Sequence, residues 1–238
     1  MNIDFTQAHR FAVYFTPPPG SAWWEAGSRW LGRCAATNTA LAQPPIAHIA
    51  PELQQQLTAE PRRYGWHATL KAPFALAEGV SLDALREALR EIASSFTAFD
   101  MPALKVCRLG SFLALCADGD NAAINAVASA CVTGLDTLAA PLSPDELKRR
   151  RHKGALSLQE DALLVRWGYP YVLECYRFHL SLTGNLNGLN ATTVDHLEQA
   201  AQAWFGALPP CRFDGLALFC EPAKGADFVF VERWELWA

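Results

Sequence analysis

The sequence predicts an α+β protein of antiparallel sheets with helices packed outside, its two lobes facing a central cleft on a pseudo-twofold axis. Three observations point there. First, Tyr64-Gly65-Trp66-His67-Ala68-Thr69-Leu70-Lys71-Ala72-Pro73 is echoed by Tyr176-Arg177-Phe178-His179-Leu180-Ser181-Leu182-Thr183-Gly184, each copy reading aromatic, His, apolar, hydroxyl residue, Leu. Second, both copies alternate with period two, so as strands they sort cleanly between two faces. Third, the copies stand about half of the 238-residue chain apart, and each is followed by a helical pattern and then two strand patterns.

In chain order, Arg10 to Phe15 alternates and is apolar-rich, a first strand stopped by Pro17-Pro18-Pro19-Gly20. Ser21 caps a helix through Trp23, Trp24, Gly27, Trp30 and Leu31, with Gly32 in the stop position. Residues 33–63, with Pro44-Pro45 and Pro51, read as irregular apart from one short helix near Pro51 to Leu57. After the first motif strand, Ser81 caps a helix whose Leu82, Leu85, Leu89, Ile92 and Phe96 keep helical spacing. Leu104 to Leu109 and Phe112 to Ala117 flank Gly110-Ser111 as a hairpin. Ile124, Val127, Ala128, Cys131, Leu135 and Leu138 mark one face of a further helix.

Between Pro141 and Pro170 the texture changes. Ser143-Pro144-Asp145-Glu146 and Ser157-Leu158-Gln159-Glu160 are capping boxes for two short helices. They bracket Arg149-Arg150-Arg151-His152-Lys153, a charge run that reads as a solvated face before it reads as a phosphate clamp. Trp167-Gly168-Tyr169-Pro170-Tyr171 is either a rigid lid or a turn. The second motif strand follows, then a helix capped by Thr192 or Thr193, then strands over Phe213 to Cys220 and Phe228 to Trp237. The expectation is one bilobal domain over 1–238: a first lobe over about 60–140 with part of the N-terminal segment, a helical insert over about 141–170, and a second lobe over about 171–238.

A net charge of −4 counts against a general nucleic-acid coat, though not against a local cation cluster around a small phosphorylated ligand. The N-terminus has no apolar core of signal-peptide length, and no apolar run is long enough to cross a bilayer, so a cytoplasmic protein with no membrane partner is expected. The seven Cys include no Cys-x-x-Cys pair and read as reduced thiols, mostly core fillers. The same absence removes the usual zinc signatures, and neither motif face carries a carboxylate, so no metal or cofactor is expected.

One face of the first motif carries His67, Thr69 and Lys71, and one face of the second carries Arg177, His179, Ser181 and Thr183. If the motif strands are central, His67 and His179 face each other across one cleft. Imidazole titrates near 6.5, so one ring can act as base while its partner acts as acid, which suits displacement at phosphorus. Thr69 and Ser181 can hold phosphate oxygens, and Arg177 or Lys71 can neutralise their charge. Tyr14 and Tyr64 are candidates to line the cleft, although strand aromatics are more often core. His9, His48, His152 and His196 have no matching context and are given no role.

The pair His67-Ala68-Thr69-Leu70 and His179-Leu180-Ser181-Leu182 resembles the signature of the two-histidine (2H) phosphoesterase superfamily. Longer matches are Arg29-Trp30-Leu31-Gly32-Arg33, Tyr64 to Phe74, Trp167-Gly168-Tyr169-Pro170-Tyr171-Val172 and Arg177-Phe178-His179. They resemble one branch, named for phosphonate metabolism, that accompanies carbon–phosphorus lyase genes. The resemblance covers essentially the whole chain, with Trp66 standing where Phe is expected. It implies a duplicated two-lobe fold and a metal-independent phosphoesterase. Such an enzyme would hydrolyse a cyclic phosphodiester of a small phosphorylated sugar or nucleotide, with His67 and His179 as general acid and base. The alternatives are an RNA-end 2′-phosphodiesterase or ligase, which the acidic balance disfavours, and a non-catalytic phosphate sensor.

Overall fold

Two antiparallel sheets carry the two motifs, each at a sheet edge. A computed structural model describes residues 4–151 and 156–238. Its strands are β1 (Arg10–Phe15), β2 (Arg33–Cys34), β3 (Thr39–Ala40), β4 (Ala68–Phe74), β5 (Phe99–Asp100), β6 (Ala103–Leu109), β7 (Phe112–Asp118), β8 (His179–Ser181), β9 (Arg212–Phe213), β10 (Gly215–Glu221) and β11 (Val229–Glu235). The helices are α1 (Ala22–Leu31), α2 (Pro51–Tyr64), α3 (Leu82–Ser94), α4 (Ala122–Gly134), α5 (Pro144–Arg151), α6 (Leu158–Trp167) and α7 (Ala191–Gly206). The α+β class with antiparallel sheets is therefore as expected. Among the described residues no helix is long and apolar enough to cross a membrane.

One sheet runs β11-β10-β1-β4 and the other β6-β7-β8, so the motif strands β4 and β8 are edge strands. After β4 come a helix, a two-residue strand and a hairpin of two seven-residue strands; the same order follows β8. The hairpins cross over. β7 pairs with β8, whereas β10 reaches β4's sheet through β1. The ribbon of β5 and β9 sets Phe99 opposite Phe213. Phe213 in turn lies 4.6 Å from Phe15 and 6.5 Å from Phe178, ring to ring, so one aromatic cluster underlies both motifs.

Local signals placed several elements well. Ser21 accepts from the Trp24 amide and Gly32 closes α1 in the left-handed region at φ 80°. Ser81 caps α3, and Ser157 with Glu160 forms a complete capping box on α6. Ser143 makes only half of its box, because Glu146 turns to Arg149 and Arg150. On α7 the cap is Asn190, which accepts from the Thr193 amide, rather than either threonine.

The largest departure is α2, which runs on to Tyr64 through Pro61. A proline inside a helix leaves the carbonyl four residues back without its usual donor. Here that carbonyl, on Leu57, accepts from the Gly184 amide at 2.6 Å. The break thus becomes a tie between the approach to the first motif and the end of the second. His67 lies immediately before β4 rather than within it, and β8 is only three residues long.

Two cysteines also depart from the reduced-thiol reading: Cys107 and Cys116 form a disulfide between β6 and β7. They are nine residues apart and come within 6.2 Å between Cα atoms, diagonally across the ladder, only because the hairpin folds back, which no short motif announces. Cys131, Cys211 and Cys220 are buried fillers. In the charge run, Arg149 and Arg150 pair with Glu146, and Arg151 holds Asp161 with two bonds of 2.6 and 2.8 Å. Arg150 also donates to the Gly168 and Pro73 carbonyls, pinning the helical insert to β4 and to the 167–171 turn. His152 and Lys153 lie outside the described residues.

Candidate functional site

Helix α1 reaches both motifs. Trp30 Nε1 donates to the Leu182 carbonyl at 2.9 Å, beside the second motif. One turn earlier Gly27 leaves room for Trp66, whose Cδ2 would stand 2.0 Å from any Cβ at that position. Trp66 then stacks on Phe205 of α7, 5.2 Å between centroids, while its carbonyl accepts from Thr16 Oγ1 at 2.8 Å. Trp66, the residue before His67, is therefore held through both its ring and its carbonyl.

Arg33 secures the same turn from the other side. Its guanidinium is almost wholly buried and donates to the Arg62, Arg63 and Phe228 carbonyls at 2.7–3.0 Å. Those first two are end-of-helix carbonyls of α2, which also accept from the Gly65 amide at 3.1 Å and the Phe228 amide at 2.8 Å respectively. Gly65 follows at φ 80°, with the Ala35 methyl only 2.7 Å from where a Cβ would be. The fork of Arg33, with no side chain at 65, sets the direction of the Gly65 carbonyl.

That carbonyl meets His67 Nδ1 at 2.8 Å, and the Arg177 carbonyl meets His179 Nδ1 at 2.8 Å. Each ring is thus held by the backbone two residues before it. A carbonyl can only accept, so each Nδ1 carries a hydrogen and each neutral ring keeps its lone pair on Nε2. Burial pushes His67 down to about 4; the Gly65 carbonyl opposes this, and His179 adds to it because charge on one ring disfavours charge on the other. Burial also lowers His179, with the Arg177 carbonyl opposing. Both rings stand as neutral proton acceptors at neutral pH.

The partners fall around them unevenly. On β8, His179 and Ser181 share a face, opposite Cys116 and Ala114 of β7. Phe112 stands 5.7 Å from the His179 ring. Thr69 lies opposite Tyr14 on β1. Neither the Thr69 nor the Ser181 hydroxyl has a hydrogen-bond partner among the described residues, and both are partly exposed. Arg177 is exposed, with no ion pair among the described residues.

Lys71 is elsewhere. β4 bulges between Thr69 and Lys71, two residues there spanning one step of β1. The ammonium turns under the sheet onto the Val132 carbonyl at 3.2 Å, and burial lowers its pKa. Thr183 is buried too, its hydroxyl taken by the Leu113 amide and the Gly184 carbonyl. Tyr14 is fully buried, its ring 3.9 Å from that of His67, and Tyr64 stands 6.0 Å away; together they wall the His67 ring. Sequence reasoning gave Gly27 and Arg33 no part in the site. The available signal for Arg33 was its place in the matched stretch Arg29-Trp30-Leu31-Gly32-Arg33, and for Gly27 a small residue inside a Trp-rich helix.

The depressed His67 pKa has a measurable sign. Between pH 6.5 and about 4 the unfolded chain takes up a proton that folded His67 refuses. The ring's contribution to stability is therefore present above pH 6.5 and declines as pH falls through that window. Urea midpoints measured against pH should fall less steeply for His67→Gln than for the unsubstituted chain; parallel curves would contradict the assignment.

The two motif segments thus present two Nε2 lone pairs and two hydroxyls that have no hydrogen-bond partner among the described residues. The family model described as "Protein of unknown function (DUF1045)" matches residues 69–229. A protein from Janthinobacterium sp. (strain Marseille), named "Ribose 1,5-bisphosphate phosphokinase PhnN", is 42% identical over 227 residues, which is 94% of this chain and 50% of that protein. One of the same name from Laribacter hongkongensis (strain HLHK9) is 42% identical over 219 residues, 92% of this chain and 50% of that protein. The chain spans about half the length of the curated relatives it matches. These names overturn the expected reaction class. A phosphokinase is a transferase, so the names of the relatives contradict hydrolysis of a cyclic phosphodiester and the label of cyclic phosphodiesterase.

Proposed function

The chain belongs to the DUF1045 family, and we propose that its two-histidine cleft binds a phosphorylated ribose of the ribose 1,5-bisphosphate class for phosphoryl transfer. The observation that carries this is the matched pair of imidazoles, each fixed through Nδ1 and each presenting Nε2. The names of the relatives supply the substrate class. The chain contains no glycine-rich loop ending in Gly-Lys-Ser/Thr, so the nucleotide is assigned to a unit equivalent to the other half of those relatives. The recurring order of elements after each motif supports the two-histidine architecture that the resemblance implies.

The residues divide the work as follows. A phosphate monoester loses its second proton near pH 6. Nε2 of His67 or His179 takes that proton and leaves a dianion. One of its oxygens attacks the γ-phosphorus of a nucleoside triphosphate; the new P–O bond forms as the bond to the β,γ-bridging oxygen breaks, and the diphosphate leaves with that electron pair. Thr69, Ser181 and Arg177 hold and neutralise the sugar phosphate's remaining oxygens.

Calorimetric titration tests the reading. Ribose 1,5-bisphosphate should bind, and its enthalpy should vary with the ionisation heat of the buffer, because a dianion beside a neutral imidazole raises the ring's pKa and draws in a proton. ATP should not displace it. A sugar bisphosphate that fails to bind, or that ATP displaces, would overturn the proposal.

A further inference from the structure

A second pair of imidazoles meets away from the motifs. His48, on the segment before α2, and His196, on α7, lie 4.8 Å apart between ring centroids with planes tilted 31°. With Gln199 they line a cavity of about 330 Å³ whose other walls are Ile46, Ala47 and Ala200. None of these residues belongs to either motif. Neither ring has a hydrogen-bond partner among the described residues, and both reach the surface, His48 exposed and His196 half-buried.

We propose that His48 and His196 bind a divalent transition ion of the zinc class, with Gln199 and water completing its shell. Zinc–nitrogen bonds are about 2.0–2.1 Å, so two imidazoles on one tetrahedral ion have centroids roughly 5 Å apart. The observed 4.8 Å needs little adjustment. His196 and Gln199 sit at i and i+3 on one helix face and project together. His48 is held outward by a left-handed backbone, φ 63°, which disfavours any non-glycine residue. Ile46 and Ile49 anchor that turn in the core, with the Ile49 amide on the Ile46 carbonyl at 3.1 Å. The neighbouring acids Asp195 and Glu198 are bound by Arg108 and are not needed as ligands. The bound ion would clip the segment before α2 onto α7.

Titration of the full chain with zinc chloride and, separately, nickel chloride at pH 7.5 should show one ion bound at micromolar concentration. His48→Gly removes one ligand while suiting the left-handed backbone, and His196→Ala removes the other. Each should weaken binding at least tenfold. Zinc should raise the thermal midpoint of the unsubstituted chain and leave both variants unchanged. Because the motif histidines are the obvious competitors, His67→Ala must keep the ion. No binding at micromolar concentration, binding that survives in both His48→Gly and His196→Ala, or binding lost in His67→Ala would each overturn the site.

Discussion

Replacing either motif histidine with alanine should weaken binding of ribose 1,5-bisphosphate by about ten- to a hundredfold. Each Nε2, once protonated by the bound dianion, makes a hydrogen bond between charged groups, typically worth about 1.5–3 kcal/mol. The wild-type affinity should rise as pH falls from 8 towards 6, since the complex holds a proton that free His67, at about 4, does not. His67→Ala and His179→Ala should each flatten that rise. Any phosphoryl transfer that the cleft supports should drop by roughly two to four decades in each variant, the range usual for a lost acid–base group. The double substitution should cost less than the product of the two, because the rings act on one phosphate. Calorimetry across this pH range decides the matter, and affinity that is insensitive to both substitutions would contradict a shared site.

Arg33→Met should be the most damaging single change to stability, at about 3–5 kcal/mol. The methionine fills similar volume, yet it removes all four guanidinium hydrogen bonds at once, three of them to backbone carbonyls, and leaves the Arg62 and Arg63 carbonyls with only the Gly65 and Phe228 amides. Such a loss is a large share of the stability of an ordinary domain. Arg33→Lys should recover only part of it, because an ammonium cannot span the fork geometry that serves several carbonyls at once. The urea midpoint reports the loss directly. Sugar-phosphate affinity should fall with it even where the variant stays folded, since the Gly65 carbonyl no longer has a fixed direction for His67 Nδ1. A stability change under about 1 kcal/mol would show that water replaces the guanidinium without cost.

The disulfide lies close to the same chemistry. Cys116 is the direct cross-strand neighbour of His179, and Cys107 faces Ala114, the neighbour of Ser181. A hairpin that arrives from the other half of the sequence therefore forms the floor beside the second histidine.

What the sequence by itself determined was whatever depends on near neighbours along the chain. Ser21 and Gly32 bound α1, Ser81 opens α3, and Gly110-Ser111 turns β6 into β7, because caps and turns satisfy backbone groups within a few residues. The repeated His, hydroxyl and apolar pattern likewise made His67, Thr69, His179 and Ser181 the candidates for a site. The tertiary structure decided what depends on partners far away. Pro61 looks like a break and is absorbed because Gly184 supplies a donor to Leu57. Lys71 shares parity with His67 and Thr69, yet a bulge against β1 sends it beneath the sheet to Val132. Arg33 reads as one more surface charge until four acceptors gather around it from three segments. In each case the deciding contact joins residues distant in sequence, and its geometry exists only once the two sheets and α1 have packed.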